Sequence, residues 1–246
     1  MAGLVTVFVT IFLLFPALLE GVQVQTTSGT VSGLTTTYQG TGVSVFRGIP
    51  YAAPPVGPLR FRDPEPHPGW DGVRDATQTP PECPQKGDAF RDPQPHPGWD
   101  GVRDATRTPP ECPQKGDACC EDCLYLNVYA PQGQHQEGGL AVMVYIHGGG
   151  FQSKSSGYPD PTPLAVTGNS KSSGYPDPTP LAVTGNVIVV AINYRLNVFG
   201  FLSTGDQAAP GNYGLMDQRF AMAWVKDNIR AFGGNPDLVT IYGRYR

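Results

Sequence analysis

An α/β fold built on a mostly parallel, doubly wound sheet is predicted by three features of this 246-residue chain. Two continuous apolar runs, LAVMVYI at 140–146 and VIVVAI at 187–192, have the length and the lack of alternation of strands buried on both faces. Between 212 and 232, Ala221, Trp224, Val225, Ile229 and Phe232 fall at helical spacing and form an apolar stripe. A further strand pattern, VTIY at 239–242, follows that helix. Residues 187–242 therefore read as strand–helix–strand, which requires parallel strands and a right-handed crossover.

The other elements follow in chain order. Residues 1–19 are apolar without one charged side chain, interrupted by Pro16 and closed by Glu20. This uninterrupted stretch is shorter than the roughly 20 residues of a spanning helix, so 1–21 reads as a secretory signal peptide, with a signal anchor as the alternative. It carries no Lys or Arg at its start. Residues 26–34 alternate small and apolar types around Gly29 and Gly33, a short hairpin signal. Residues 43–46 are a candidate strand, and 46–61, rich in Pro and Gly, an extended loop. LYLNVY at 124–129 alternates as a strand. Asn212 can cap the long helix, and Gly233-Gly234 before Asn235-Pro236 should stop it. The early strands belong to an antiparallel front edge of the sheet.

The net charge is −4, with both signs scattered along the chain. No basic stripe points to nucleic acid, and after residue 19 no apolar run is long enough to span a membrane. The five cysteines, Cys83, Cys112, Cys119, Cys120 and Cys123, suggest a disulfide in an exported chain. No His stands near them at zinc-ligand spacing, so no metal site is expected. A location outside the cell or in the secretory lumen follows.

The chain has 31 glycines and 26 prolines, and the Pro excess has a specific source. Residues 61–89 are repeated at 90–118 with two changes, Glu65 to Gln94 and Gln78 to Arg107. Residues 153–169 (SKSSGYPDPTPLAVTGN) are repeated at 170–186 without a change. These pairs hold 18 of the 26 prolines. A solenoid is excluded, because each unit occurs only twice and neither has a stacking pattern. Two equal copies must compete for one groove on the scaffold, so the register there is ambiguous.

Directly after the 140–146 strand comes His147-Gly148-Gly149-Gly150-Phe151. Three glycines let successive N–H groups turn toward one point, as an oxyanion hole requires. A plain glycine turn or a phosphate loop are the alternatives. A phosphate loop wants a helix N-terminus immediately afterwards, and Ser-Lys-Ser-Ser-Gly-Tyr-Pro supplies none.

With these residues the chain resembles the type-B carboxylesterase and cholinesterase family of the α/β-hydrolase fold. The resemblance lies in 46–52 (FRGIPYA), 121–129 (EDCLYLNVY), 147–151, Asn193-Tyr194-Arg195 with Gly200-Phe201-Leu202, 211–218 (GNYGLMDQ) and 232–236 (FGGNP). It implies that 22–246 is the N-terminal part of such a domain, and that Gly149 and Gly150 give two oxyanion N–H groups. It also implies a disulfide from Cys123 to an upstream partner, which is Cys112 or its duplicate Cys83. His147 favours the carboxylesterase side, since cholinesterases are similar with Tyr there. No choline-binding Trp is identifiable; Trp99 copies Trp70, whose expected role is packing under the loop. His67, His96 and His135 lie in Pro- or Gly-rich loops and are expected to be exposed.

The resemblance implies a serine esterase that hydrolyses a small carboxylic ester through an acyl-serine intermediate, without a cofactor. Its nucleophile elbow would be expected at 243–247, but Arg244 and Tyr245 follow Gly243, and no Gly-x-Ser-x-Gly occurs in these 246 residues. Tyr245 occupies the nucleophile position and has no partner base to activate it. The expectation is an incomplete α/β-hydrolase fold, cut at the nucleophile strand, inactive by itself and exposing an aggregation-prone sheet edge. The alternatives are a non-catalytic relative resembling neuroligin-type adhesion proteins, or a truncated pseudogene product.

Overall fold

The computed structural model describes residues 21–72, 103–104, 121–133, 137–151, 156, 159–160 and 175–243. The signal-peptide segment, Cys83, Cys112, Cys119, Cys120, Trp99, His96, His135 and Tyr245 lie outside them.

β1 (Val22–Thr26) and β2 (Gly29–Tyr38) form the expected hairpin, with Val24 opposite Val31. β3 (Thr41–Pro50) is much longer than the four residues the sequence suggested. It pairs with β4 (Tyr125–Pro131) through Pro50, so the first part of the expected loop is strand. Only beyond it does the chain become irregular, with one 3₁₀ turn at Gly57–Leu59. β5 (Leu140–Ile146) occupies the span that the sequence predicted. After it come α1 (Thr179–Gly185), β6 (Ile188–Ile192), α2 (Asn197–Phe201), α3 (Tyr213–Asn228) and β7 (Gly234–Gly243).

The sheet runs β1-β2-β3-β4-β6-β5-β7. Pairs β1/β2, β2/β3, β3/β4 and β4/β6 are antiparallel. Pairs β5/β6 and β5/β7 are parallel, and the two-residue strand Arg103–Asp104 also runs parallel to β2. Among the long strands the parallel pairing lies in β5, β6 and β7, and the antiparallel front is wider than an edge. The crossover from β6 to β7 passes over β5, which lies between them.

Both faces of the sheet are covered from β3 to β6, whereas β7 is largely exposed. Phe46, Leu126, Val128, Val142, Val144, Ile188, Val190 and Ile192 pack under the α3 side. The whole predicted stripe, Ala221, Trp224, Val225, Ile229 and Phe232, meets them there. The opposite residues Val43, Val45, Tyr129 and Val189 pack with Ala182 of α1. Successive strand residues point to opposite faces, so fully apolar runs serve both layers. At roughly 25 cal/mol per Å² of buried apolar surface, this three-layer burial is the dominant stabilising term.

Asn212 stands at the start of α3 but does not cap it with its side chain. Its φ is +63°, in the left-handed region, and its carbonyl accepts from the N–H groups of Leu215 and Met216. A side-chain cap needs extended backbone at that position, and the preceding turn denies it. Gly233, at φ +86°, ends the helical segment as its type suggested.

Among the described residues, one ion pair joins two loops and another joins a loop to α3. Arg60 bonds both oxygens of Glu121, at 2.6 and 2.8 Å, two residues before Cys123. Arg195 is buried, as is its partner Asp217 in α3. The carboxylate accepts from the Arg195 N–H at 3.0 Å, from Nε at 2.8 Å and from Nη2 at 2.7 Å. Burial pushes the Asp217 carboxyl above its ordinary value, and the hydrogen bonds and charge of Arg195 oppose that shift.

Candidate active site

The Gly-rich loop leaves the carboxyl end of β5. Gly149, Gly150 and Phe151 have φ of +112°, +61° and +59° in succession. The first two are conformations that glycine adopts at little cost, and nothing lies within 4 Å of where a Gly150 Cβ would stand. The loop is thus a left-handed turn.

The start of the loop is held from behind. His147 is buried and stacks on Tyr194, with ring centroids 4.4 Å apart and planes 19° from parallel. The Tyr194 hydroxyl donates to the His147 carbonyl at 2.8 Å. Downstream, the Asn197 N–H donates to the Phe151 carbonyl at 2.8 Å, and the Phe151 ring lies 4.7 Å from that of Phe201. Tyr194 follows β6 directly, and its neighbours are fixed in turn. The Tyr51 hydroxyl donates to the Asn193 carbonyl at 2.8 Å. The Asn193 side-chain oxygen accepts from the buried Ser156 N–H at 2.7 Å. Arg195 is locked to Asp217. The segment 193–195 therefore connects the sheet, α3 and the Gly-rich loop.

β7 ends beside the start of this loop. Gly243 pairs with Ile146 in the parallel register. A Cβ on Gly243 would come within 2.6 Å of the Ile146 carbonyl oxygen, so only glycine allows this approach. The last residue of β5 and the last described residue of β7 are thus side by side. Tyr245, two residues on, lies outside the described residues.

Burial pushes the Tyr194 hydroxyl up to about 12, with Tyr145 adding to the shift, and it raises Tyr51 well above the ordinary tyrosine value. The unfolded chain releases these protons near pH ~10 while the folded one keeps them. The unfolded state then binds fewer protons, so stability falls as pH rises from 10 to 12. The Tyr194→Phe variant should show a shallower decline of the urea midpoint over that window. An unchanged slope would mean that Tyr194 ionises freely in the folded chain.

Of the other residues singled out in the sequence, Cys123 is fully buried and disulfide-bonded; Cys112 and Cys83, its two candidate partners, lie outside the described residues. Trp70 packs against the main core as its expected role requires, and its indole N–H donates to the Thr30 carbonyl at 2.9 Å. His67 is half-buried rather than exposed, because it packs edge-on against Trp70 at 5.4 Å. Among the described residues no group of His, Cys, Asp and Glu can hold a metal, and no helix is long and apolar enough to cross a membrane. The sequence identified the 193–195 motif but not its structural role. The signal that could have found it is a tyrosine and a cation directly following a buried strand.

A Gly-rich turn at the carboxyl end of one parallel strand, beside the end of a neighbouring parallel strand, is the arrangement of an α/β-hydrolase. Comparison with known proteins identifies the family. The model of the carboxylesterase family matches residues 20–89 and 87–245, and the break falls at the junction of the 29-residue copies. The chain belongs to the carboxylesterase family. It is 44% identical to the cocaine esterase of Oryctolagus cuniculus over 220 residues, covering 89% of this chain and 36% of that protein. It is 42% identical to neuroligin-3 of Mus musculus over 223 residues, covering 82% of this chain and 24% of that protein. Among solved structures it resembles PNB esterase, with a TM-score of 0.65 and 40% identity, covering 90% of this chain and 37% of the other. The chain thus spans between about a quarter and somewhat over a third of the length of these relatives.

Proposed function

We propose that the full-length protein is a serine carboxylesterase that hydrolyses small carboxylic esters through an acyl-serine intermediate. The observation that carries this reading is the pairing of Gly243 with Ile146 beside the left-handed Gly149-Gly150 turn. In this reading the N–H groups of Gly149 and Gly150 stabilise the oxyanion of the tetrahedral intermediate. A serine activated by a His and a carboxylate attacks the ester carbonyl. The reaction needs no cofactor. Residues 1–21 are a signal peptide, 22–246 the N-terminal part of the esterase domain, and the protein acts outside the cell or in the secretory lumen. A disulfide between Cys112 and Cys123, or Cys83 in its place, closes the loop before β4.

The 246 residues hold no Gly-x-Ser-x-Gly, and position 245 is Tyr. In this reading the 246-residue chain alone does not turn over p-nitrophenyl acetate above background. The full coding sequence, read from RNA past the codon for Gly243, gives Glu-Ser-Ala-Gly, and its product is active and blocked by an organophosphate. Organophosphate-sensitive turnover by the 246-residue chain itself would overturn the assignment of its inactivity. A coding sequence without the serine would overturn the esterase.

A second reading is a non-catalytic binding relative, favoured by the 42% identity to neuroligin-3. The intact Gly148-Gly149-Gly150 turn speaks against it, since a binding protein has no use for oxyanion donors. A full-length protein that lacks the serine and carries a membrane span would support it over the esterase.

A further inference from the structure

Phe151 closes the Gly-rich turn with a backbone that its side chain disfavours. Its φ is +59°, and Asn197, the first residue of α2, stands at +51°. Glycine and asparagine take this left-handed conformation at little cost, but a bulky aromatic residue rarely does. Phe151 must therefore be held there, and strain of this kind collects at functional sites.

α2 holds Phe151 from both ends. At its start, the Asn197 N–H donates to the Phe151 carbonyl at 2.8 Å. At its end, the Phe201 ring packs 4.7 Å from that of Phe151, which also meets Tyr194 edge-on at 6.4 Å. The Phe151 side chain nevertheless leaves the residue 47% exposed, so burial alone does not account for its strained backbone. α2 is itself fixed. Gly200 lies so close to the Arg195 carbonyl that a Cβ there would clash, and Arg195 is bonded to Asp217 of α3. The hold runs from α3 through Arg195 and α2 to the end of the turn.

With the Phe151 carbonyl fixed, relaxing its φ to an ordinary value would rotate the chain by roughly 120° about the Phe151 N–Cα bond. The peptide planes just before it would have to absorb that rotation, and they carry the Gly149 and Gly150 N–H groups. We propose that Phe151 and Asn197 are positioning residues for the two oxyanion donors, a role that rests on the esterase reading above. The left-handed pair fixes where the turn ends and so where those N–H groups point. The aromatic contacts to Phe201 and Tyr194 offset the strain that this direction costs.

The test is steady-state turnover of p-nitrophenyl acetate by the full-length protein, with urea unfolding to confirm that each variant is folded. Phe151→Val should lower kcat at least about tenfold with little change in KM, because a β-branched residue does not hold the left-handed φ and the donors act on charge that develops only in the transition state. Phe151→Gly lacks the ring equally but reaches that φ freely, and it should recover most of the loss. Asn197→Val and Asn197→Gly should separate in the same direction, and this second pair carries the test if Phe151→Val does not fold. Equal kcat within either folded pair would overturn the proposal and leave the esterase reading standing. Full-length protein without any turnover would overturn the esterase reading, and the positioning role with it.

Discussion

Replacing Asp217 by Ala should cost the folded protein about 3–5 kcal/mol, because the Arg195 guanidinium would remain buried without its counter-charge. Against a typical total of about 5–15 kcal/mol, that loss takes most of the stability. The pair does more than neutralise charge. The Arg195 carbonyl packs against Gly200 of α2 and Gly214 of α3 so tightly that a Cβ on either glycine would clash. Asp217 therefore clamps both helices to the segment that supports the Gly-rich loop through Tyr194. Replacing both partners, Arg195→Met with Asp217→Leu, should cost much less than Asp217→Ala alone, since no uncompensated charge stays inside. Urea unfolding of the three proteins checks this. Equal losses for the single and double variants would mean that packing, not charge, dominates the site.

On the proposed esterase function, replacing Gly149 by Val in the full-length protein should lower kcat about 10²–10³-fold with little change in KM. Gly149 holds φ at +112°, which a β-branched residue does not adopt, so its N–H would rotate away from the substrate. Loss of one oxyanion donor has that magnitude because the donor acts on charge that develops only in the transition state. Turnover of p-nitrophenyl acetate measures it, with urea unfolding to confirm that the variant is folded. An unchanged kcat would remove Gly149 from the oxyanion site.

Much of this was legible in the residues. The span of β5 and the stripe from Ala221 to Phe232 were readable because burial on two faces and helical periodicity both leave repeating signals. The elements that escaped have none. In α1 the helix breaks the usual preferences, with Pro180 near its start and a short TPLAVTG sequence, and it forms because Ala182 fits against Val43, Val45 and Val189. β3 extends through Pro50 because β4 offers it a partner seventy-five residues later, at Tyr125. Asn212 adopts a left-handed backbone where an extended cap was expected, because the turn before α3 sets its angle.

The sequence by itself determined the family, the Gly-rich loop and the repeat units, since each is a local pattern of residue types. Only the tertiary structure decided how wide the antiparallel front is and that Gly243 lies beside Ile146. Those are contacts between distant segments. Their outcome depends on which partner the folded sheet presents, and no local pattern carries that information.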